Sequence, residues 1–498
     1  NFDGNGYNIA VGYDAGLNVS TGVQNTIMGG LAGDALTTGS DNVAVGYQAL
    51  SAEDTGGRSV AIGRAALSAQ NNDANNYNVA VGHAAGANIT SGIQNTIVGG
   101  LAGDALTTGS YNTAIGFSAL TTEDAHGYNI AMGYRALHNL NAGANAYNVA
   151  IGADAGLLVT TGVRNVVIGG LAGDAMTSAT DNVVLGYDAG GAMTSAQQNT
   201  AVGAYAADAI TSGTANVALG YNALTASVDG DFNTALGYKA LEDYEDGDGN
   251  GHNTAVGSKS QLNASTGEFN TSLGSLSMGA GVTTGDQNVA IGYTAGISIG
   301  AGSFNVLVGN AAGTALSTGT ENVAIGHQAL NTEDAHGKNV AVGHTALQTL
   351  DAGADGFNVA VGNTAGKLMT TGNGNTIVGG EAGETITSGI SNEAFGRRAL
   401  RRSTTANYNT AMGTEALRTN ILSNRNVAIG FQSLFTHNTS NAVDAFNTAV
   451  GFKAGNAITT GINNTSLGGN AGDALTTGDN NIIIGKDAAA SAVGVDNT

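Results

Sequence analysis

Cysteine, proline and tryptophan are absent from this 498-residue chain, and charged residues make up only 11% of it. Without cysteine there is no disulfide framework and no thiolate chemistry, which leaves the redox compartment open. No apolar run approaches the roughly 18 residues that a membrane-spanning helix needs, and no signal peptide is legible. Basic residues are scarce too: 16 Lys and Arg stand against 38 Asp and Glu, a formal net charge of −22. Binding nucleic acid through its phosphates requires a basic footprint, so the charge argues against that partner class. Glycine contributes 79 residues and apolar types 42%. Abundant glycine without proline, in a strict period, fits the turns of a regular β-structure better than a disordered coil. Collagen is excluded because glycine does not recur every third residue. The chain begins at Asn1 in mid-pattern, which reads as a mature portion or a fragment of something longer.

What is present is a five-residue signature, mostly Asn-(Val/Thr/Ile)-(Ala/Ile)-apolar-Gly, beginning at Asn8, Asn25 and Asn42 and last at Asn481. It occurs 28 times, and of the 27 intervals 21 are 17 residues long, the other six running from 18 to 21. Such self-similarity marks a solenoid. An uninterrupted repeat overrides the length prior of several domains, so residues 1–498 are expected to form one continuous body without an internal linker. At the parallel-ladder spacing of ~4.8 Å per coil, the stack would be a rod of roughly 130 Å. A longer period overlies the first: signatures at 8, 78 and 148, and again at 288 and 358, are spaced in units of 70, or four coils.

In the coil from Asn42 to Arg58, two short strands and two turns are legible. The signature glycine, Gly46 here, is glycine in all 28 coils, which predicts positive φ or close backbone approach. The fourth signature position (Val11, Met28, Val45, Ile62) is always apolar and is assigned to the core. Three residues after each glycine stands a small residue, alanine in 25 coils and serine at Ser260, Ser277 and Ser433, which implies a tight interior. The second, third and fourth positions together form an apolar run, and such a run implies burial on both faces of the strand. One face fills the coil; the other needs a partner, and the economical partner is another copy of the chain. The expected fold is all-β, a parallel β-solenoid of about 28 coils with a 17-residue period, assembled as a parallel homotrimer.

Ser59-Val60-Ala61-Ile62-Gly63 and its many variants resemble the SVAIG-type repeat of YadA-like heads in trimeric autotransporter adhesins. The Asn-Val-Ala-Val-Gly-Tyr-Gln-Ala-Leu of Asn42–Leu50 is also similar to repeats in phage tail-fibre and virion proteins. The resemblance spans the chain. It implies a left-handed β-roll with two strands per coil, three chains about a shared axis, and an extracellular fibre that adheres to a host or matrix.

Candidate sites follow from the columns. The asparagine column, 27 of 28 signature positions, reads as stacked amides easing a turn rather than a ligand ladder. The aromatic or histidine residue after the glycine (Tyr13, Tyr47, His83, Phe117, Tyr134 and others) reads as packing over neighbouring coils, with a glycan-stacking stripe as the alternative. Asp246-Gly247-Asp248-Gly249-Asn250-Gly251 matches the opening of a calcium loop, with Asp246, Asp248 and Asn250 as the oxygen ligands. The match lacks the closing glutamate, because Gly257 falls at the twelfth position. Glu123-Asp124-Ala125-His126 and its twin Glu333-Asp334-Ala335-His336 offer carboxylates and an imidazole, but without a second histidine at ligand spacing they read as surface decoration. The Thr-Thr-Gly turns, such as Thr37-Thr38-Gly39, skip coils and so cannot form a continuous ice-binding array.

The expected role is therefore a non-enzymatic, extracellular, homotrimeric fibre segment acting in adhesion or receptor reach, on a bacterial surface or as a phage tail-fibre shaft. Its partners would be itself, including end-to-end contacts, and a surface glycan or host receptor. Two alternatives are a self-assembling filament and a tailspike-like polysaccharide-degrading β-helix enzyme; the latter requires convergent carboxylates from adjacent coils.

Overall fold

A computed structural model describes residues 6–245 and 251–488. Among them all regular structure is β, in a parallel solenoid of 28 three-residue strands at the 17-residue period. The chain divides into two units, Asn1–His252 and Asn253–Thr498. The first carries strands β1 (Ile9–Val11) to β14 (Thr234–Leu236), and the second β15 (Thr254–Val256) to β28 (Ile482–Ile484). Within each unit every strand pairs in parallel with the next coil's strand, like position on like: Thr26 faces Val43, Ile27 faces Ala44 and Met28 faces Val45. This register follows from the period itself, since a slip by one residue would turn the inner side chains outward.

Each coil contains one strand, not the two expected. The remainder is bent by residues in the left-handed region at three recurrent places: just before the asparagine (Asp41, φ 60), two after the glycine (Gln48, φ 59) and four after it (Leu50, φ 54). Three such corners leave no extended stretch long enough for a second strand. The ladder nevertheless continues through them. The Gln48 N–H donates to the Gly30 carbonyl one coil back at 3.0 Å, and the Leu50 N–H donates to Ala66 one coil ahead at 3.0 Å. An L-residue in this region costs of order 1–2 kcal/mol; these inter-coil hydrogen bonds offset that cost by satisfying backbone groups that would otherwise be buried without partners.

The signature glycine meets both predicted demands. Gly46 has φ 136, and a Cβ placed on it would lie 2.4 Å from the Gly63 carbonyl oxygen of the next coil. Within each unit the coils stack on one another through this column, so a side chain here would meet the backbone of the following coil.

The interior corrects the expectation about which strand residue faces inward. It is the third signature position that is buried, in every strand from β2 (Thr26–Met28) to β28, as with Ala44, Ile97 and Leu307. The fourth position is half-exposed or exposed, Leu219 at 43% and Ile325 at 38%. Side chains alternate across a strand, so the second and fourth positions share the outer face. The assignment of the fourth position to the core rested on its being always apolar, and an apolar run is compatible with either phase. The small residue three after the glycine (Ala32, Ala49, Ala66) is fully buried, as expected.

Volume in this thin core is balanced within each coil. Where the residue four after the signature glycine is itself glycine, the seventh is aliphatic or methionine: Gly33 with Leu36, Gly86 with Ile89, Gly173 with Met176. A Cβ on Gly33 would lie 2.8 Å from Leu36 Cδ1. Where the fourth is leucine in a 17-residue coil, the seventh is shorter or polar: Leu50 with Glu53, Leu120 with Glu123, Leu224 with Ser227, Leu330 with Glu333, Leu400 with Ser403, Leu417 with Asn420. Only the longer coils take leucine together with a bulky seventh residue, as in Leu137 with Leu140, Leu241 with Tyr244 and Leu350 after Leu347. A close-packed interior tolerates neither a void nor an excess methylene, and this compensation is the result.

Candidate binding face and buried polar columns

The outward second and fourth strand positions build a face of Val, Thr, Ile, Leu and Met, with one Phe (Phe395) and one charged residue, Glu393, in all 28 coils. Two columns of exposed rings border it. One is the predicted column after the glycine, in which Phe117 and Tyr134 stack at 6.0 Å, His327 and His344 at 5.2 Å, and Phe431 and Phe452 at 5.3 Å. The other precedes the asparagine and was not anticipated, although the recurrent Tyr-Asn and Phe-Asn dipeptides signal it. There Tyr111, Tyr128 and Tyr147 stack at 4.9 and 5.0 Å. Rings in both columns pack along the axis while half their surface stays open, Tyr128 at 43% and Phe357 at 60%.

The asparagine column is structural, as predicted. Asn182 Oδ1 accepts the Asn199 backbone N–H at 2.9 Å, and Asn182 Nδ2 donates to the Ala196 carbonyl at 2.9 Å. This pattern repeats from coil to coil. At Ser59, the one coil without asparagine, Gln70 fills the gap: its Nε2 donates to Ser59 Oγ at 2.9 Å, and its Oε1 accepts from Asn78 Nδ2 at 2.8 Å.

The duplicated acidic motifs are not surface decoration. Glu123 and Glu333 are fully buried at the seventh position after their glycines, as is Glu53. Each stands in the coil before one of the three 19-residue intervals and holds the extra residues there. Glu333 Oε1 accepts the His336 N–H at 3.0 Å, and Oε2 accepts the Ala352 N–H of the inserted loop at 3.2 Å. Glu123 does the same for His126 and Ala142 at 3.0 and 3.4 Å. Glu53 bonds Gly56, Gln70 and Asn76. Burial raises the carboxyls of Glu53 and Glu333, against the lowering effect of these hydrogen bonds. The 70-residue period is thus the spacing of carboxylate clamps on longer coils. The ligand atoms of Glu333, Asp334, His336 and Asp351 lie within 4.8 Å of one another and could converge on a cation. The clamp already engages Glu333, and the twin site has Asn141 where this one has Asp351.

His437 fills the seventh position in the 21-residue coil from Asn426 to Asn447. It is fully buried, and desolvation lowers its imidazole from 6.5 to about 4. A base with a folded pKa below its unfolded one favours the neutral form in the fold. Its contribution is complete above about pH 6.5 and is lost as pH falls toward about 4, ~3 kcal/mol in all. Replacing His437 with leucine, which longer coils accept at Leu140 and Leu350, is expected to flatten that acid limb. Urea unfolding across this window would measure it.

Asp174 and Asp208 are raised first by burial and then by the nearby Asp188. Each also accepts hydrogen bonds from its own and the following backbone N–H, the bonding of a turn residue. The threonine turns likewise spend their hydroxyls on the backbone, Thr37 Oγ1 on the Asp54 carbonyl at 3.1 Å and Thr107 on Asp124 at 2.9 Å. The calcium candidates Asp246, Asp248 and Asn250 lie outside the described residues. Beside them, Glu242 pairs with Lys239 at 2.8 Å and accepts from Asn222 at 3.0 Å. No helix among the described residues is long and apolar enough to cross a membrane.

No model of a known protein family matches the chain, and no curated protein matches it in sequence.

Proposed function

We propose that the chain is a non-enzymatic structural protein, a segment of an extracellular fibre in which three parallel copies pack about a common axis. The observation that supports this reading is the outer strand face: apolar, nearly free of charge and repeated at every level, it is the kind of surface that monomeric proteins rarely leave open. In this reading the fibre serves adhesion or receptor reach, on a bacterial surface or a phage particle, and its stacked rings offer faces on which surface glycans can lie. Turnover of a capsular or lipopolysaccharide glycan would replace this reading with the hydrolytic one.

Four lysines introduced along the face at Leu185, Val202, Leu219 and Leu236 test the proposal. These side chains lie outside the core, so the circular dichroism of the folded chain should be unchanged while the sedimentation mass falls to that of one chain. An unaltered assembly would assign the contact to another face.

A further inference from the structure

The chain's positive charge is concentrated in one place. Six of its 16 basic residues fall between Arg397 and Arg425, an interval with a single acidic residue, Glu415. The coil geometry draws three of these arginines into one groove. Glu384, Arg401, Arg418 and Phe435 each stand five residues after a signature glycine in four successive coils, while Thr385, Arg402 and Thr419 stand six after. All seven line the same groove.

The carboxylates do not saturate these guanidinium groups. Arg401 is engaged through Nε, at 2.8 Å from Glu384 and 3.2 Å from Glu381. Arg418 lies 5.4 Å over the Phe435 ring, and its buried Nε stands 3.8 Å from Glu415, an ion pair too long for a hydrogen bond, which leaves the terminal nitrogens without a carboxylate partner among the described residues. Arg402 is exposed and forms no ion pair among the described residues. The threonine hydroxyls are already committed, Thr385 to the Arg401 carbonyl at 2.8 Å and Thr419 to the Phe435 carbonyl. The groove therefore presents guanidinium donors with spare hydrogens, one of them immobilised on a ring.

We propose that this groove binds an oxyanion, a sulfate or phosphate monoester group, between Arg402 and Arg418 with Arg401 alongside. Guanidinium forks match such groups with paired hydrogen bonds. Unspent donors also account for the clustering: arginines placed only to neutralise glutamates would not leave Arg402 without an ion pair.

Equilibrium dialysis of the full chain against radiolabelled sulfate at low ionic strength tests this directly. One saturable site per chain is expected, weakened at least tenfold in Arg402→Gln/Arg418→Gln and unchanged in Lys367→Gln/Lys453→Gln, with circular dichroism checking the fold of each. Competition by a sulfated disaccharide separates the sources. Displacement at tenfold lower concentration than inorganic sulfate identifies a saccharide-borne group, and equal displacement identifies the free ion; both uphold the site. Absence of saturable binding, or binding indifferent to the arginine pair, overturns it. None of these outcomes depends on the oligomeric state.

Discussion

Replacing Gly379 with alanine is expected to cost ~4–5 kcal/mol of local stability, the range reserved for severe core lesions. Gly379 has φ 139, and an added Cβ would sit 2.5 Å from the Gly396 carbonyl oxygen. Relief requires neighbouring coils to part, and that breaks the ladder bonds on either side. The adjacent Gly380 is the internal control, because a Cβ there meets nothing within 4 Å, and its alanine variant should be neutral to within ~0.5 kcal/mol. A solenoid's stability is a sum of coil and nearest-neighbour terms, so the damage should be local. Hydrogen exchange should show faster opening of the Gly379 and Gly396 amides, with distant coils unaffected.

The second large effect is expected at the asparagine column. Asn182→Ala removes the acceptor of the buried Asn199 N–H and the donor to the Ala196 carbonyl. The Ala196 carbonyl keeps the Thr180 N–H at 3.3 Å, so one buried group, the Asn199 N–H, is left unsatisfied, at a cost of ~2 kcal/mol. Asn182→Asp separates hydrogen bonding from packing. It keeps an acceptor for Asn199 but turns a carboxylate toward the Ala196 carbonyl and Asn165 Oδ1, the latter 3.1 Å from Asn182 Nδ2. At neutral pH it should be no better than alanine, and it should recover on acidification, when the protonated carboxyl can donate. Denaturant unfolding at two pH values gives the comparison. Equal loss at both would reduce the column to a packing feature.

The residues differ in how openly their chemistry declares them. Gly46 and Ala49 are legible because a column repeated 28 times turns a steric limit into an invariant glycine and a nearly invariant alanine. The strand position is legible for the same reason. Its facing was not, since Val43-Ala44-Val45 is apolar throughout and either phase satisfies the pattern; the coil's narrowness decides in favour of Ala44. The burial of Glu53, Glu123 and Glu333 ran against the usual exposure of glutamate. It becomes readable once leucine four after the glycine is seen to exclude a large seventh residue, and once the following coil is seen to be two residues longer. The left-handed corners at Leu50 and Gln48 carry no letter of their own, because the inter-coil bonds, not the side chain, make that conformation tolerable. The guanidinium groove was visible as a run of arginines but not as a site, since its members stand 17 residues apart and meet only through the coil period.

Sedimentation equilibrium of the intact chain bears most directly on the fibre proposal. Burial of the outer strand face by sister copies predicts a particle of three times the 49.0 kDa chain mass, persisting on dilution into the nanomolar range. A species of one chain mass at micromolar concentration, with Leu219 and Ile325 open to solvent, would contradict it.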